Sequence, residues 1–205
     1  MSHRHVLLSG PPGIGKTTTV RKVCELLTDK NVKFQGFFTE EVRNGRERIG
    51  FDIVTTLGKR GNLARVSAPG ASRGPKVGKY TVDVSSFESL ALPVFDCSPS
   101  PILILDEIGK MEAFSKPFLA RVQEAFSKPT INVLATIPVA RNAVPIVEEL
   151  RSRKDCLLFE FYLVNYMQEV NIQGPNFDKL YLQNQTINHY EENILKLHMF
   201  FGRCC

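Results

Sequence analysis

Hydrophobic positions along the chain fall into short runs with two different periods. Residues 5–9, His5-Val6-Leu7-Leu8-Ser9, form an apolar block too short for a helix and predict a buried strand. Over 17–27 the spacing changes. Val20, Val23, Leu26 and Leu27 recur at helical intervals and predict a helix. A second strand is expected over 34–39, and Asn44-Gly45 then gives the strongest short hairpin signal of the chain. That turn should join 40–43 to 48–55. A short strand is expected over 63–66, a Pro/Gly-rich loop over 67–79 and a strand over 80–84. Ser85 is positioned to cap a helix over 87–92. Residues 40–84 thus read as an antiparallel insertion beside a parallel sheet.

After a Ser/Pro loop over 96–101 come four consecutive aliphatic residues, Ile102-Leu103-Ile104-Leu105. Such a run suits a strand buried on both faces, as in a parallel sheet. Phe118, Leu119, Val122, Ala125 and Phe126 mark one face of a helix over 115–127, which Lys128-Pro129 stops. A strand over 130–137, a short helix over 145–153 and a closing strand over 156–164 complete the pattern. Residues 171–188 have no clear period, and 191–201 can form a last helix. The charge changes here too. Residues 1–155 carry 23 Lys/Arg and 16 Asp/Glu, a net of +7, whereas 156–205 carry 3 and 5, a net of −2. The expected organisation is one domain over 1–165 and a tail of different character over 166–205.

The first strand and helix flank Gly10-Pro11-Pro12-Gly13-Ile14-Gly15-Lys16-Thr17, followed by Thr18. This is Gly-x-x-x-x-Gly-Lys-Thr, and its strand–loop–helix setting is the one a phosphate-binding loop needs. Glycines let backbone N–H groups turn inward around phosphate oxygens, and the helix N-terminus favours an anion. Lys16 would reach the β/γ-phosphates, and the Thr17 hydroxyl would bind Mg²⁺. The second acidic clue is Asp106-Glu107 at the end of the aliphatic run, where ligands bind in open α/β sheets. Asp106 would hold Mg²⁺, the Walker B task. Glu107, pointing to the other side of the strand, is the candidate general base, with Glu112 next in order. Lys110 is a candidate phosphate contact. Thr136, at a strand end, can sense the γ-phosphate. The basic helix end Arg151-Ser152-Arg153-Lys154 can supply a cation in cis, with Arg153 the candidate.

Composition narrows the setting. The chain has 205 residues and a net charge of +5, and its basic residues are dispersed apart from that helix end. This argues against nucleic acid as a main partner. Five cysteines without a Cys-x-x-Cys pair suit reduced thiols and a cytoplasmic location, the nucleus remaining open. No apolar run approaches the ~18 residues of a membrane span. His189 and His198 lack metal-ligand spacing. A monomer is expected.

Several motifs in order carry a more specific likeness. They are the phosphate loop, Gly36-Phe37-Phe38-Thr39-Glu40-Glu41-Val42-Arg43, Arg48-Ile49-Gly50-Phe51-Asp52, Gly78-x-Tyr80, Asp106-Glu107-Ile108-Gly109-Lys110-Met111-Glu112 and Arg151-x-Arg153-Lys154-Asp155. Over about residues 4–159 the chain resembles the cancer-related nucleoside-triphosphatase family, first typified by thermophile enzymes. The resemblance implies a RecA/AAA-like P-loop fold, α/β with a mostly parallel sheet flanked by helices. It implies an extra strand between the loop strand and the Walker B strand. It also implies slow, Mg²⁺-dependent hydrolysis of several nucleoside triphosphates (ATP, GTP, CTP, UTP) to diphosphate and phosphate. Nucleotide-binding stretches carried over are Gly10 to Thr17 and Ile102, Leu103, Ile104, Leu105, Asp106, Glu107, Ile108 and Gly109. Where the family has Thr-x-x-Asn-Arg, this chain reads Tyr162-x-x-Asn165-Tyr166, so that arginine is absent. A small P-loop kinase and a nucleotide-dependent binding switch stand as alternative functions. Release of phosphate without an added acceptor separates the kinase, and nucleotide-dependent partners would mark the switch.

Overall fold

A computed structural model describes residues 3–67, 74–96, 102–139 and 144–161. The tail over 166–205, the last residues of the expected closing strand and positions 162–166 lie outside these. Among the described residues one sheet of nine strands forms the frame. In chain order the elements are β1 (His5–Ser9), α1 (Lys16–Asp29), β2 (Phe34–Asn44), β3 (Glu47–Thr55), β4 (Arg60–Val66), β5 (Lys76–Val77), β6 (Tyr80–Val82), α2 (Val84–Ala91), β7 (Ile102–Asp106), α3 (Lys116–Ser127), β8 (Asn132–Ile137), α4 (Pro145–Ser152) and β9 (Cys156–Glu160). Their order across the sheet is β5-β6-β4-β3-β2-β7-β8-β1-β9. Strands β2, β7, β8, β1 and β9 run parallel, and β8 stands between the loop strand β1 and β7, as the resemblance implies.

The aliphatic runs become central strands because both of their faces are covered. Val6, Leu8, Ile102, Ile104 and Leu134 pack under α1 with its Val20, Val23, Cys24 and Leu27. The alternate residues Leu7, Leu103, Leu105, Val133 and Ala135 face the opposite way. There they meet Phe118, Val122 and Phe126 of α3 and Ile146, Val147 and Leu150 of α4. Phe37, Phe87 and Phe118 meet edge-on or tilted, with ring centroids 5.0–5.8 Å apart. Each of these helices thus buries one stripe and each of these central strands both faces.

The insertion continues the same sheet. Strand β2 is longer than expected: its first half pairs in parallel with β7, and its second half turns antiparallel against β3. The turn after Asn44 places Gly45 at φ 59°, the left-handed conformation a tight hairpin needs. The cap of α2 differs from the Ser85 reading. Asp83 accepts from the Ser86 N–H at 2.9 Å and starts the helix at Val84, which ends β6 at Val82. Both residue types can cap, and the register of β6 decides between them. No helix among the described residues is long and apolar enough to cross a membrane.

Candidate active site

The loop from Gly10 to Thr17 leaves β1 at the carboxyl ends of the parallel strands. Gly13 and Gly15 sit at φ 78° and 102°, a region that L side chains avoid. Gly15 is the N-cap of α1, and no side chain among the described residues caps that helix. Its first-turn N–H groups are therefore open to an anion. Lys16 curls back over the loop and is buried. Its Nζ donates to the Gly10 carbonyl at 2.9 Å and to the Pro11 carbonyl at 3.4 Å. It stands 3.9 Å from Glu107 Oε2.

Strand β7 delivers the acidic pair. Ile102, Leu103, Ile104 and Leu105 are core residues that position the end of the strand rather than line the site. Asp106 is buried at that end, where Thr136 Oγ1 of β8 donates to its Oδ1 at 2.5 Å. Thr136 thus orients Asp106 from the neighbouring strand. Asp106 Oδ2 is buried and has no hydrogen-bond partner among the described residues. Burial raises the pKa of this carboxyl, while Thr136, Thr17 and the charge of Lys16 favour its ionised form. An orphaned carboxylate oxygen beside a loop threonine hydroxyl fits a hard divalent cation.

Glu107 was expected on the opposite side of the strand. Strand β7 ends at Asp106, so the strand alternation stops there, and the Glu107 carboxylate lies toward Lys16 of the loop. The Glu107 carboxyl is raised by burial, lowered by Lys16 and raised again by Asp106. Ile108 is core. The Gly109 N–H donates to Glu112 Oε2 at 3.0 Å and so closes the turn. A Cβ on Gly109 would lie 2.6 Å from Glu107 Oε1 and 3.0 Å from Glu112 Oε2, so both carboxylates rest on the bare glycine. Glu112 is buried, and burial followed by the charge of Glu107 pushes its carboxyl up to about 8.

A cavity of about 720 Å³ opens in front of the loop and Glu107. Pro12, Lys16, Thr17, Thr18, Glu107, Lys110 and Glu112 line it, and Ile14 packs into the core under α1. Arg153 is elsewhere. It pairs with Asp155 and donates to the Phe126 carbonyl, at the amino ends of the strands and away from the loop. Its neighbour Arg151 extends to the carboxyl ends of β1 and β8 instead, donating to Ser9 Oγ and the Pro138 carbonyl and pairing with Glu160 at 3.2 Å. Residue spacing alone could not separate the two, because they leave α4 toward opposite ends of the sheet. Arg21 was also missed. It lies one turn after Thr17 on the same face of α1, lines the cavity and pairs with Glu40. That i, i+4 spacing was the available signal.

Comparison with known proteins agrees with this arrangement. Residues 5–171 match the profile of the family described as NTPase. The human cancer-related nucleoside-triphosphatase is 50% identical over 165 residues, spanning 76% of this chain and 87% of that protein. Nucleoside-triphosphatase THEP1 of Aquifex aeolicus is 39% identical over 164 residues, spanning 76% and 88%. The solution structure of a human cancer-related nucleoside triphosphatase superposes with a TM-score of 0.66 at 49% identity, over 77% of this chain and 88% of that one. The crystal structure of THEP1 from Aquifex aeolicus gives 0.67 at 35% identity, over 80% and 93%. With a P-loop cradle, an acidic strand end facing it and these likenesses along most of its length, the chain belongs to the NTPase family.

Proposed function

We propose that the protein is a Mg²⁺-dependent nucleoside triphosphate phosphohydrolase, converting triphosphate and water to diphosphate and phosphate slowly and with little regard to the base. The observation that carries the reading is the convergence of Lys16, Thr17 and Glu107 on one cavity, with the buried Asp106 carboxylate adjoining Glu107 at the end of β7. The loop N–H groups and Lys16 bind the β- and γ-phosphates and take up charge as the terminal bond breaks. Thr17 and Asp106 would hold Mg²⁺, which when bound neutralises β- and γ-oxygens. Glu107 accepts a hydrogen bond from the attacking water, orients it toward the γ-phosphorus and takes its proton. Gly109 and Glu112 keep that carboxylate in place. Base indifference is supported by recognition resting on the phosphates.

The test is phosphate release from ATP, GTP, CTP and UTP with Mg²⁺, wild type beside Glu107→Gln. Release from all four is expected, with turnover lower by on the order of 10²-fold in the variant and nucleotide binding retained. Undiminished turnover in Glu107→Gln would move the base elsewhere.

A further inference from the structure

The cavity is longer than a triphosphate cradle requires. Beyond Glu107 it continues along the insertion, where Phe51 of β3, Leu63 of β4, Val77 of β5 and Met111 form an apolar wall. Arg48 stands in that wall. Its guanidinium lies 5.1 Å from the Phe51 ring centroid, and its Nε donates to Tyr80 Oη at 3.0 Å. Glu41 pairs with it at 2.6 Å. Five arginines, Arg21, Arg43, Arg48, Arg60 and Arg65, share only three carboxylates here, Glu40, Glu41 and Asp52. Across residues 40–82 nine Lys/Arg face four Asp/Glu, a net of +5, equal to the net charge of the whole chain. The excess positive charge is therefore concentrated on the insertion rather than spread over the fold.

Sheet order says which side of the phosphates this is. From the loop strand outward the sequence is β1, β8, β7, β2, β3, so Glu107 at the end of β7 stands between the loop and the insertion. In an in-line displacement the nucleophile and the leaving diphosphate are on opposite sides of the γ-phosphorus. Glu107 marks the nucleophile's side, on the reading given above. The nucleoside of the triphosphate then leaves the loop in the other direction, and the insertion end stays open while the loop is filled.

We propose that this insertion end is a second binding site, for a mononucleotide-sized phosphorylated ring compound, with Arg48 taking the phosphate and the Phe51–Leu63–Val77 wall taking the ring. A site of this size, mostly apolar with a few fixed polar groups, is the usual form of a small-ligand pocket. Arg48 is suited to the anion because Tyr80 and Phe51 already hold its planar fork in one orientation.

GMP is the probe, titrated calorimetrically into full-length protein saturated with ADP and Mg²⁺. One equivalent should bind without displacing ADP. Arg48→Ala should weaken GMP at least about tenfold, the loss of one charge-assisted hydrogen bond, with ADP affinity and melting temperature unchanged. Arg48→Lys, which keeps the charge and loses the fork, should fall between the two. Phe51→Leu should weaken GMP less than Arg48→Ala. The proposal is overturned if GMP does not bind the ADP-loaded protein, if it binds only by displacing ADP, or if Arg48→Ala weakens ADP and leaves GMP unaffected. The readout is binding and does not involve Glu107. Failure of the hydrolytic reading would appear in the Glu107→Gln assay and not here.

Discussion

Strands β1 and β7 are buried along their whole length, while β3 and β4 are buried only at alternate or scattered positions. The two groups belong to one sheet and share β2, yet they are held by different forces. The parallel half is closed by apolar layers on both faces and needs few charges. The antiparallel half shows one face to solvent and is knitted by a chain of ion pairs running from Arg21 through Glu40 and Arg60 to Asp52 and Arg65. Close-packed layers resist small displacements, whereas half-exposed ion pairs are individually weak. The groups proposed to hold the triphosphate and its metal all stand on the stiff half. The adjustable half supplies only the far wall of the cavity.

The largest expected effect is on the stiff half. Phe118 is fully buried and touches the rings of Phe37, Phe87 and Phe95. Phe118→Ala should cost about 3–5 kcal/mol in urea denaturation, and a cost under about 1 kcal/mol would mean that the aromatic cluster does not hold this half together. Next comes a change of geometry without a change of fold. Gly109→Ala should displace Glu107 and lower turnover by up to about 10²-fold while the melting temperature stays near wild type. Equal turnover in this variant would show that Glu107 tolerates displacement. On the adjustable half, Asp52→Asn should cost only about 1 kcal/mol, because Arg60 and Arg65 are half-exposed.

The smallest effect separates the halves by pH. Burial pushes the Asp52 carboxyl up, but hydrogen bonds from Arg60 and Arg65 outweigh it and hold it below the ordinary aspartate range. A depressed folded pKa stabilises above the unfolded value, so this contribution is complete at neutral pH and lost as pH falls through the folded pKa. Glu112 has the opposite sign. Its carboxyl is raised to about 8, so the folded protein keeps a proton that the unfolded chain releases. Its stability contribution therefore declines as pH rises from the ordinary glutamate range to about 8. Denaturation midpoints across that range should show Glu112→Gln gaining on wild type as pH rises. Asp52→Asn should converge on wild type only in acid. Parallel curves for either variant would remove that group from the account.

Much of this was legible in the chain. The glycine loop could be read because its pattern is local: a strand, a turn of fixed length and a helix, each set by neighbours within a few residues. The aliphatic run at 102–105 and the Asn44-Gly45 turn were legible for the same reason. Readings failed where a distant partner decided. The register of β6 moved the α2 cap from Ser85 to Asp83. The end of β7 turned Glu107 toward Lys16. Packing of α4 sent Arg153 to Asp155 and Arg151 to Ser9. The hydrogen bond from Thr136 to Asp106 could not be read from the chain, because the two lie 30 positions apart and on different strands.

The sequence alone thus determined the alternation of strands and helices, the phosphate loop and the acidic strand end. Periodicity and backbone conformation are short-range properties, and the chain states them directly. Only the tertiary structure decided which cations face the cavity, which hydroxyl serves Asp106 and that the insertion extends the sheet to wall the site. Those are pairings between residues far apart in the chain. Their energies exist only once the two apolar layers have closed on the parallel strands and brought the partners together.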